Sequence, residues 1–347
     1  MVTKINSPSR RLPAEWEPQD GVLLAWPHAD SDWAPQLLLV EPVFTAITAA
    51  ISRFESVLVV APDLQPVQVK LAAAGTRMER VRLISCPTND TWARDFGPIA
   101  IEEYGEQVLL DFGFNGWGLK FAAHRDNQIT RHLAGLGLFT ARHQPVGLIL
   151  EGGSIESDGN GTLLTTAECL LNPNRNPHLR KSDIELALGH RLGADHILWL
   201  ENGYLVGDDT DSHIDTLARL CPNDTICYVK CDDPDDEHYS ALQAMDAELH
   251  AFRTRSGAAF RLLPLPWPKA TFDEDGERLP ATYANYLVIN GAVLVPTYDD
   301  PADAAALATV AAAYPEREII GIDCRPLILQ HGSLHCVTMQ LPQGVLA

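Results

Sequence analysis

Cysteine is a good nucleophile only as thiolate, and an ordinary pKa of about 8.5 leaves just a few per cent in that form at neutral pH. Cys336 lies in the run Gln330-His331-Gly332-Ser333-Leu334-His335-Cys336-Val337-Thr338-Met339, where a Gly-Ser turn leads into an apolar, strand-like stretch. That setting suits a nucleophile at the foot of a cleft, provided that other residues activate it. Three further polar motifs stand where apolar stretches end: Asp95 behind Trp92 and Arg94, Glu151 ahead of Gly152 and Gly153, and His213 with Asp215.

Singly, each has an ordinary structural explanation. Asp95 before Phe96-Gly97-Pro98 is a turn former, Glu151-Gly152-Gly153 reads as a surface turn, and His213 with Asp215 as a hydrogen-bonded pair. The spacing of that pair puts both side chains on one side of a strand but not of a helix. His335 adjoins Cys336, yet neighbours on a strand face opposite ways, so His335 is expected to point away from the sulfur. The acids Asp208, Asp209, Asp211 and Asp215 raise a metal reading, but they lack the glycine and glutamate that a calcium loop needs. They are expected to cap the turn that carries His213, with no metal ligand among the site residues.

As a set, a cysteine nucleophile, a histidine acid/base and the carboxylates Asp95, Glu151 and Asp215 suit attack on a planar, cationic carbon. A guanidinium is such a centre, and its fork of N–H donors pairs with carboxylates. Trp92 offers a face to the cation or its alkyl stem. Asn89 and Arg94, beside Asp95, complete the expected substrate-binding residues.

The elements that must position these residues alternate along the chain. Strands are expected over 21–27, 56–62, 81–85, 107–112, 147–150, 161–165, 196–200, 225–230, 260–265, 292–296 and 319–322. Helices are expected over 41–51 with Pro42 at its first position, near 182–185 with Ser182 as cap, along Tyr239, Leu242, Met245, Leu249 and Phe252 up to Gly257, and over 300–314. This makes about five strand–helix–strand units of roughly 55 to 70 residues. Units arranged around an axis bring their terminal motifs together, so the expectation is one α/β propeller-like domain over residues 1–347.

Bulk properties narrow the partners. A net charge of -20 repels nucleic acid and anionic membrane and favours a small cationic molecule. The 7 cysteines are scattered, and Cys221, Cys227 and Cys231 lack paired CxxC spacing, so neither a disulfide framework nor a zinc site is expected. The first ten residues have no apolar signal core, and no window approaches the roughly 18 apolar residues of a membrane span, which gives a cytoplasmic expectation.

The motifs Asn89-Asp90-Thr91-Trp92-Ala93-Arg94-Asp95-Phe96-Gly97-Pro98, Glu151-Gly152-Gly153-Ser154, Asn172-Pro173-Asn174-Arg175-Asn176-Pro177, Asp209-Thr210-Asp211-Ser212-His213-Ile214-Asp215 and Gly332-Ser333-Leu334-His335-Cys336-Val337-Thr338 resemble those of the agmatine deiminases. That family belongs to the guanidine-modifying penteins and is related to bacterial peptidyl-arginine deiminases. The resemblance implies a five-bladed α/β propeller and hydrolysis of agmatine to N-carbamoylputrescine and ammonia, without cofactor or metal, through an amidino-cysteine intermediate. It implies Cys336 as nucleophile and His213 as general acid, then base. Asp95 and Asp215 would grip the guanidinium, Glu151 would orient and polarise the site, and Trp92 would wall the channel. Many relatives have Gly-His-Val-Asp and Gly-Asn-Ile-His-Cys where this chain has Ser212-His213-Ile214-Asp215 and Gly332-Ser333-Leu334-His335-Cys336. The alternatives are a deiminase of peptidyl or free arginine, an amidinotransferase, and a non-catalytic guanidine-binding module. Acids at the channel mouth would suit agmatine's ammonium, whereas an arginine carboxylate would want Arg or Lys. Association into a homo-oligomer is left open.

Overall fold

Residues 10–347 are described in the computed structural model, and one arrangement recurs along them. Two antiparallel strands are followed by a helix-bearing crossover to a third strand, which pairs parallel to the second. Ile155–Ser157 and Thr162–Thr166 pair antiparallel, and His196–Leu200 returns beside Thr162–Thr166 in parallel after the helix Lys181–Leu192. The same pattern joins Ala218–Cys221, Thr225–Val229 and Arg261–Leu265 across the helix Tyr239–Ala251. It also joins Leu287–Ile289, Ala292–Thr297 and Glu318–Asp323 across Asp303–Ala313. In a fourth sheet Ile99–Glu103, Glu106–Gly113 and Arg142–Ile149 repeat it, with Arg10–Arg11 added at one edge.

The fifth sheet closes the ends of the chain on each other. The last strand, Thr338–Pro342, pairs antiparallel with Gln19–Ala25, and Ser56–Ala61 and Val81–Ser85 extend that sheet in parallel. Its central strand Ser-Val-Leu-Val-Val-Ala is apolar almost throughout and buried from Val57 onward, as befits a parallel strand covered on both faces. A small ribbon, Thr271–Phe272 with Arg278–Leu279, stands apart from these five sheets. The crossover helices bury one stripe each; Leu242, Met245 and Leu249 are the buried residues of Tyr239–Ala251.

The repeat places the chemistry. Each unit's leading strand is preceded, within a few residues, by a polar site candidate. Asp95 precedes Ile99–Glu103, Glu151 precedes Ile155–Ser157, and His213 with Asp215 precedes Ala218–Cys221. Asn285 precedes Leu287–Ile289, and Cys336 precedes Thr338–Pro342.

Several local expectations change. His213 and Asp215 do not share a strand: His213 caps the short 3₁₀ turn Ile214–Thr216, in which Asp215 lies, and the strand begins only at Ala218. Pro42 sits inside the helix Leu37–Ser52 and not at its start; the residue whose carbonyl it cannot engage, Leu38, is exposed. The cap of Lys181–Leu192 is Arg180, whose backbone N–H donates to Asp183, in place of Ser182. Helix Tyr239–Ala251 stops at Phe252, before Gly257. Residues 34–52 are also long and apolar enough to cross a membrane, against the expectation that no such window exists. Here Val40, Phe44, Ile47 and Ile51 of that segment are buried within the main hydrophobic core.

Candidate active site

Cys336 is buried, and its turn is tied down on two sides. Its carbonyl accepts the Arg94 backbone N–H at 3.1 Å, which joins it to the short helix Ala93–Phe96 carrying Asp95. From the neighbouring unit Asn285 clasps the same turn. Its Oδ1 accepts the N–H of His335 at 2.9 Å and of Cys336 at 3.3 Å, while its Nδ2 approaches the Cys336 Sγ at 3.2 Å and the Asp215 carbonyl at 3.4 Å. Asp215 Oδ2 lies 4.0 Å from the sulfur. Burial, then the charges of Asp215 and Asp95, push the Cys336 thiol well above its ordinary value, against hydrogen bonds from Ser333 and Asn285. The resting cysteine is therefore a thiol.

The other site candidates meet around Gly153. A Cβ there would fall 2.6 Å from His213 Nδ1, 2.8 Å from Asp95 Oδ1 and 3.2 Å from Asp215 Oδ2, so only glycine leaves these groups where they are. Its backbone N–H donates to Asp95 Oδ1 at 3.0 Å, and Trp117 Nε1 donates to Asp95 Oδ2 at 3.0 Å. Burial and the Asp215 charge raise Asp95 well above the usual carboxylate range. His213 is fully buried, 3.5 Å from Asp95, and neither ring nitrogen has a hydrogen-bond partner. Burial pushes its imidazole down to about 3, so it rests neutral.

Glu151 is held from behind by Arg175, whose Nε donates to Oε1 at 2.9 Å, while Oε2 is unpartnered. Burial raises the Glu151 carboxyl in spite of the Arg175 charge. Arg175 also donates to Asp211 and, at 2.9 Å, to the Thr210 carbonyl. The acidic stretch before His213 builds its turn: Asp208 accepts the Thr210 hydroxyl at 2.5 Å and the Ser212 N–H at 2.7 Å, and the Thr210 hydroxyl accepts the His213 N–H at 3.1 Å. Glu151, Cys169 and His213 offer ligand atoms within 4.8 Å of one another. The Arg175 guanidinium on Glu151 works against a cation there.

A cleft of about 440 Å³ leads to this floor, with Cys336 and Asp95 at its base and Trp92, Trp117, Phe121 and Gly332 along it. Trp92 and Trp117 stand edge to face with ring centroids 6.4 Å apart. Gly332 is required because a Cβ would fall 2.2 Å from the Trp92 ring. Asp32, Asp90 and Asp209 line the outer part. Partial burial lifts the Asp90 carboxyl to about 6.

Two expected substrate contacts are elsewhere. Arg94 and Asp95 are neighbours on one helical turn, so they project in different directions. The Arg94 side chain runs behind the site to Gln340, Met339 Sδ at 3.7 Å and the His335 carbonyl at 3.5 Å, lining a separate cavity with Glu15, Gln19 and Glu156. Asn89 fastens a loop: its Oδ1 accepts the Arg125 N–H at 2.7 Å, and its own N–H donates to Asp126 at 2.6 Å. Asn285, Trp117 and Arg175 are the close residues that had no assigned role. Trp117 carries a local signal, since Gly116-Trp117-Gly118-Leu119 all adopt positive φ, a strain that commonly marks functional loops.

The model of the Porphyromonas-type peptidyl-arginine deiminases matches residues 11–342. The chain belongs to this family. Its mixed α/β fold matches the pentein-type structures solved for relatives. A Pseudomonas aeruginosa agmatine deiminase is 36% identical over 355 residues, covering 96% of this chain and 95% of that one. A cysteine-to-serine variant of a C. jejuni agmatine deiminase, solved with substrate bound, is 41% identical with a TM-score of 0.89, covering 96% of this chain and 97% of its own. A Porphyromonas gingivalis structure provisionally described as an arginine deiminase is 51% identical with a TM-score of 0.93, covering 97% and 100%.

Proposed function

We propose that this deiminase hydrolyses agmatine to N-carbamoylputrescine and ammonia. The observation that carries the choice of substrate is the outer cleft, where Asp32, Asp90 and Asp209 face the path to Cys336 and, among the described residues, no lysine or arginine lines it. Lys120, on the loop after Trp117, is engaged by the Asp209 carbonyl at 2.6 Å and Asp211 Oδ1 at 2.9 Å. Such a mouth favours a substrate with a cation at both ends. The relatives named as agmatine deiminases support the same reading.

The guanidinium enters between Trp92 and Trp117 and is held by Asp95 and Asp215. Its positive charge offsets the two carboxylates that oppose ionisation of Cys336, so the thiol is activated by the substrate it attacks. Sulfur adds to the guanidinium carbon, and His213 receives the thiol proton. His213 then returns it as the C–N bond breaks, which releases ammonia and leaves an amidino-thioether. Water, deprotonated by His213, adds to that carbon; the C–S bond breaks, and the ureido product leaves with Cys336 restored. Glu151, anchored by Arg175, aligns His213 and the water through its unpartnered oxygen.

We also propose that the described residues, 10–347, form one catalytic domain whose five sheets are the blades of a propeller, with the polar residues that precede the leading strands meeting at its centre. The chain closure between Thr338–Pro342 and Gln19–Ala25 supports this. A cytoplasmic, cofactor-independent enzyme is part of the same proposal.

The second reading is arginine deimination, favoured by the 51% identity to the Porphyromonas gingivalis protein. Separate incubations with agmatine, free arginine and a peptide ending in arginine, followed by assays of ammonia and ureido product, decide between them. Turnover of agmatine is expected; turnover confined to an arginine substrate would overturn the agmatine reading.

A further inference from the structure

Behind the catalytic floor lies a buried polar cluster that the reaction just described does not use. His335 stands at its centre with a carboxylate at each ring nitrogen: Nδ1 is 2.7 Å from Asp215 Oδ2, and Nε2 is 2.8 Å from Glu15 Oε2. Arg219 closes the cluster. It donates from Nη2 to Glu15 at 2.7 Å and from Nε to Glu156 at 2.6 Å, and its Nη2 lies 3.1 Å from His335 Nε2. Its guanidinium also stacks on Tyr286, 4.5 Å from the ring centroid. Glu15 Oε1 accepts the Val288 N–H at 2.6 Å, so the carboxylate is fixed by three elements.

Glu15, Glu156 and His335 also satisfy the spacing of a metal cluster. Arg219 already occupies their lone pairs, so the arrangement is an ion network. It reaches the cleft through the His335–Asp215 contact. Asp215 is fully buried, with Oδ2 bound to His335 and Oδ1 without a partner.

We infer that His335, oriented by Glu15 and Arg219, is a positioning residue that holds Asp215 ionised, with Oδ2 tied and Oδ1 presented to the guanidinium. Burial alone would raise the Asp215 carboxyl; the His335 hydrogen bond first, and then the Arg219 charge, hold it below its ordinary value. Asp95, Glu151 and His213 face Asp215 from the cleft; Glu15, Glu156, Arg219 and Arg94 surround His335 from behind. A carboxylate grips a cation only when ionised. Loss of its donor raises the Asp215 pKa, so guanidinium binding would fail at a higher pH as the solution is acidified.

The inference rests on the proposed reading of Asp215 as a guanidinium ligand, and its test needs no turnover. In full-length Cys336→Ala protein, binding of agmatine and methylguanidine is measured by calorimetry across pH, with His335 intact or replaced by Ala, Asn or Gln. An asparagine amide reaches the position of Nδ1 and can donate to Asp215, whereas glutamine reaches toward Nε2 and Glu15. His335→Ala and His335→Gln are expected to weaken binding at neutral pH by about ten-fold or more and to move the acid limb up by about one pH unit. His335→Asn should keep most of both. A purely structural role would not separate Asn from Gln, so the comparison stands even if the Ala variant fails to fold. Equal behaviour of Asn and Gln, or an unmoved acid limb, would overturn the inference. A parent that binds no guanidinium would overturn it together with the reading beneath it. Binding without ammonia release by the unsubstituted enzyme would overturn only the latter.

Discussion

The two sides of Asp215 are built on opposite rules. Toward the cleft, buried polar atoms are left without partners: both ring nitrogens of His213, Oε2 of Glu151 and Oδ1 of Asp215. Behind it, Glu15, Glu156 and His335 are engaged by Arg219, by one another or by backbone N–H groups at 2.6 to 3.2 Å, and the unpartnered atoms there, Arg94 Nη2 and Gln19 Oε1, belong to residues at the edge of this network. An unsatisfied buried polar group costs about 1–3 kcal/mol, so a set of them converging on one point is kept for a ligand that will satisfy them. The paired side holds the geometry, and the unpaired side receives the substrate.

The contrast can be broken by substitutions on either side. On the cleft side, Cys336→Ala should lower agmatine turnover by at least about 10⁴-fold while the protein still binds agmatine, measured by ammonia release and calorimetry. His213→Ala should cost about 10²–10⁴-fold in kcat with little change in melting temperature. Behind the site the order reverses. Arg219→Met leaves Glu15 and Glu156 without their shared cation and should destabilise the fold by about 3–5 kcal/mol in denaturant titration. Gly153→Ala sharpens the comparison, since its methyl would displace His213 and Asp95 themselves; a loss near 10²-fold in kcat is expected with the fold retained.

The smallest expected effect is at the cleft mouth. Asp90 attracts a cation only when ionised, and its carboxyl is raised to about 6. The KM for agmatine should therefore fall as pH rises through about 6. Asp90→Asn should raise KM several-fold at pH 8 and flatten that dependence, with kcat little changed.

Much of the floor was legible because a cysteine, a histidine and acids stand out where apolar strands begin. Asn285 was not, because Thr282-Tyr283-Ala284-Asn285-Tyr286 contains no residue that suggests catalysis. The available signal was the phase of the repeat. The strand legible at 292–296 is the second of its unit, whereas Leu287–Ile289 is the leading strand and Asn285 holds the position that Cys336, Asp215 and Asp95 hold elsewhere. Arg94 misled for the converse reason, since adjacency to Asp95 along a helical turn sends its side chain to the other side. The expectation that His335 turns from the sulfur assumed a strand, but both residues lie in a turn, and the His335 ring reaches the same Asp215 oxygen that lies 4.0 Å from the sulfur; that contact depends on chain segments far apart in sequence. So does the mouth, where Asp32, Asp90 and Asp209 come from separate loops.

The central claim is that Cys336 carries the amidino group of agmatine between ammonia release and hydrolysis. Acid-quenching the enzyme during agmatine turnover and analysing its peptides by mass spectrometry tests it directly. The account predicts an amidino adduct on the Cys336 peptide that appears with the first ammonia and disappears as agmatine is exhausted. Ammonia release at an undiminished rate from Cys336→Ala protein, or turnover with no adduct on that peptide, would contradict it.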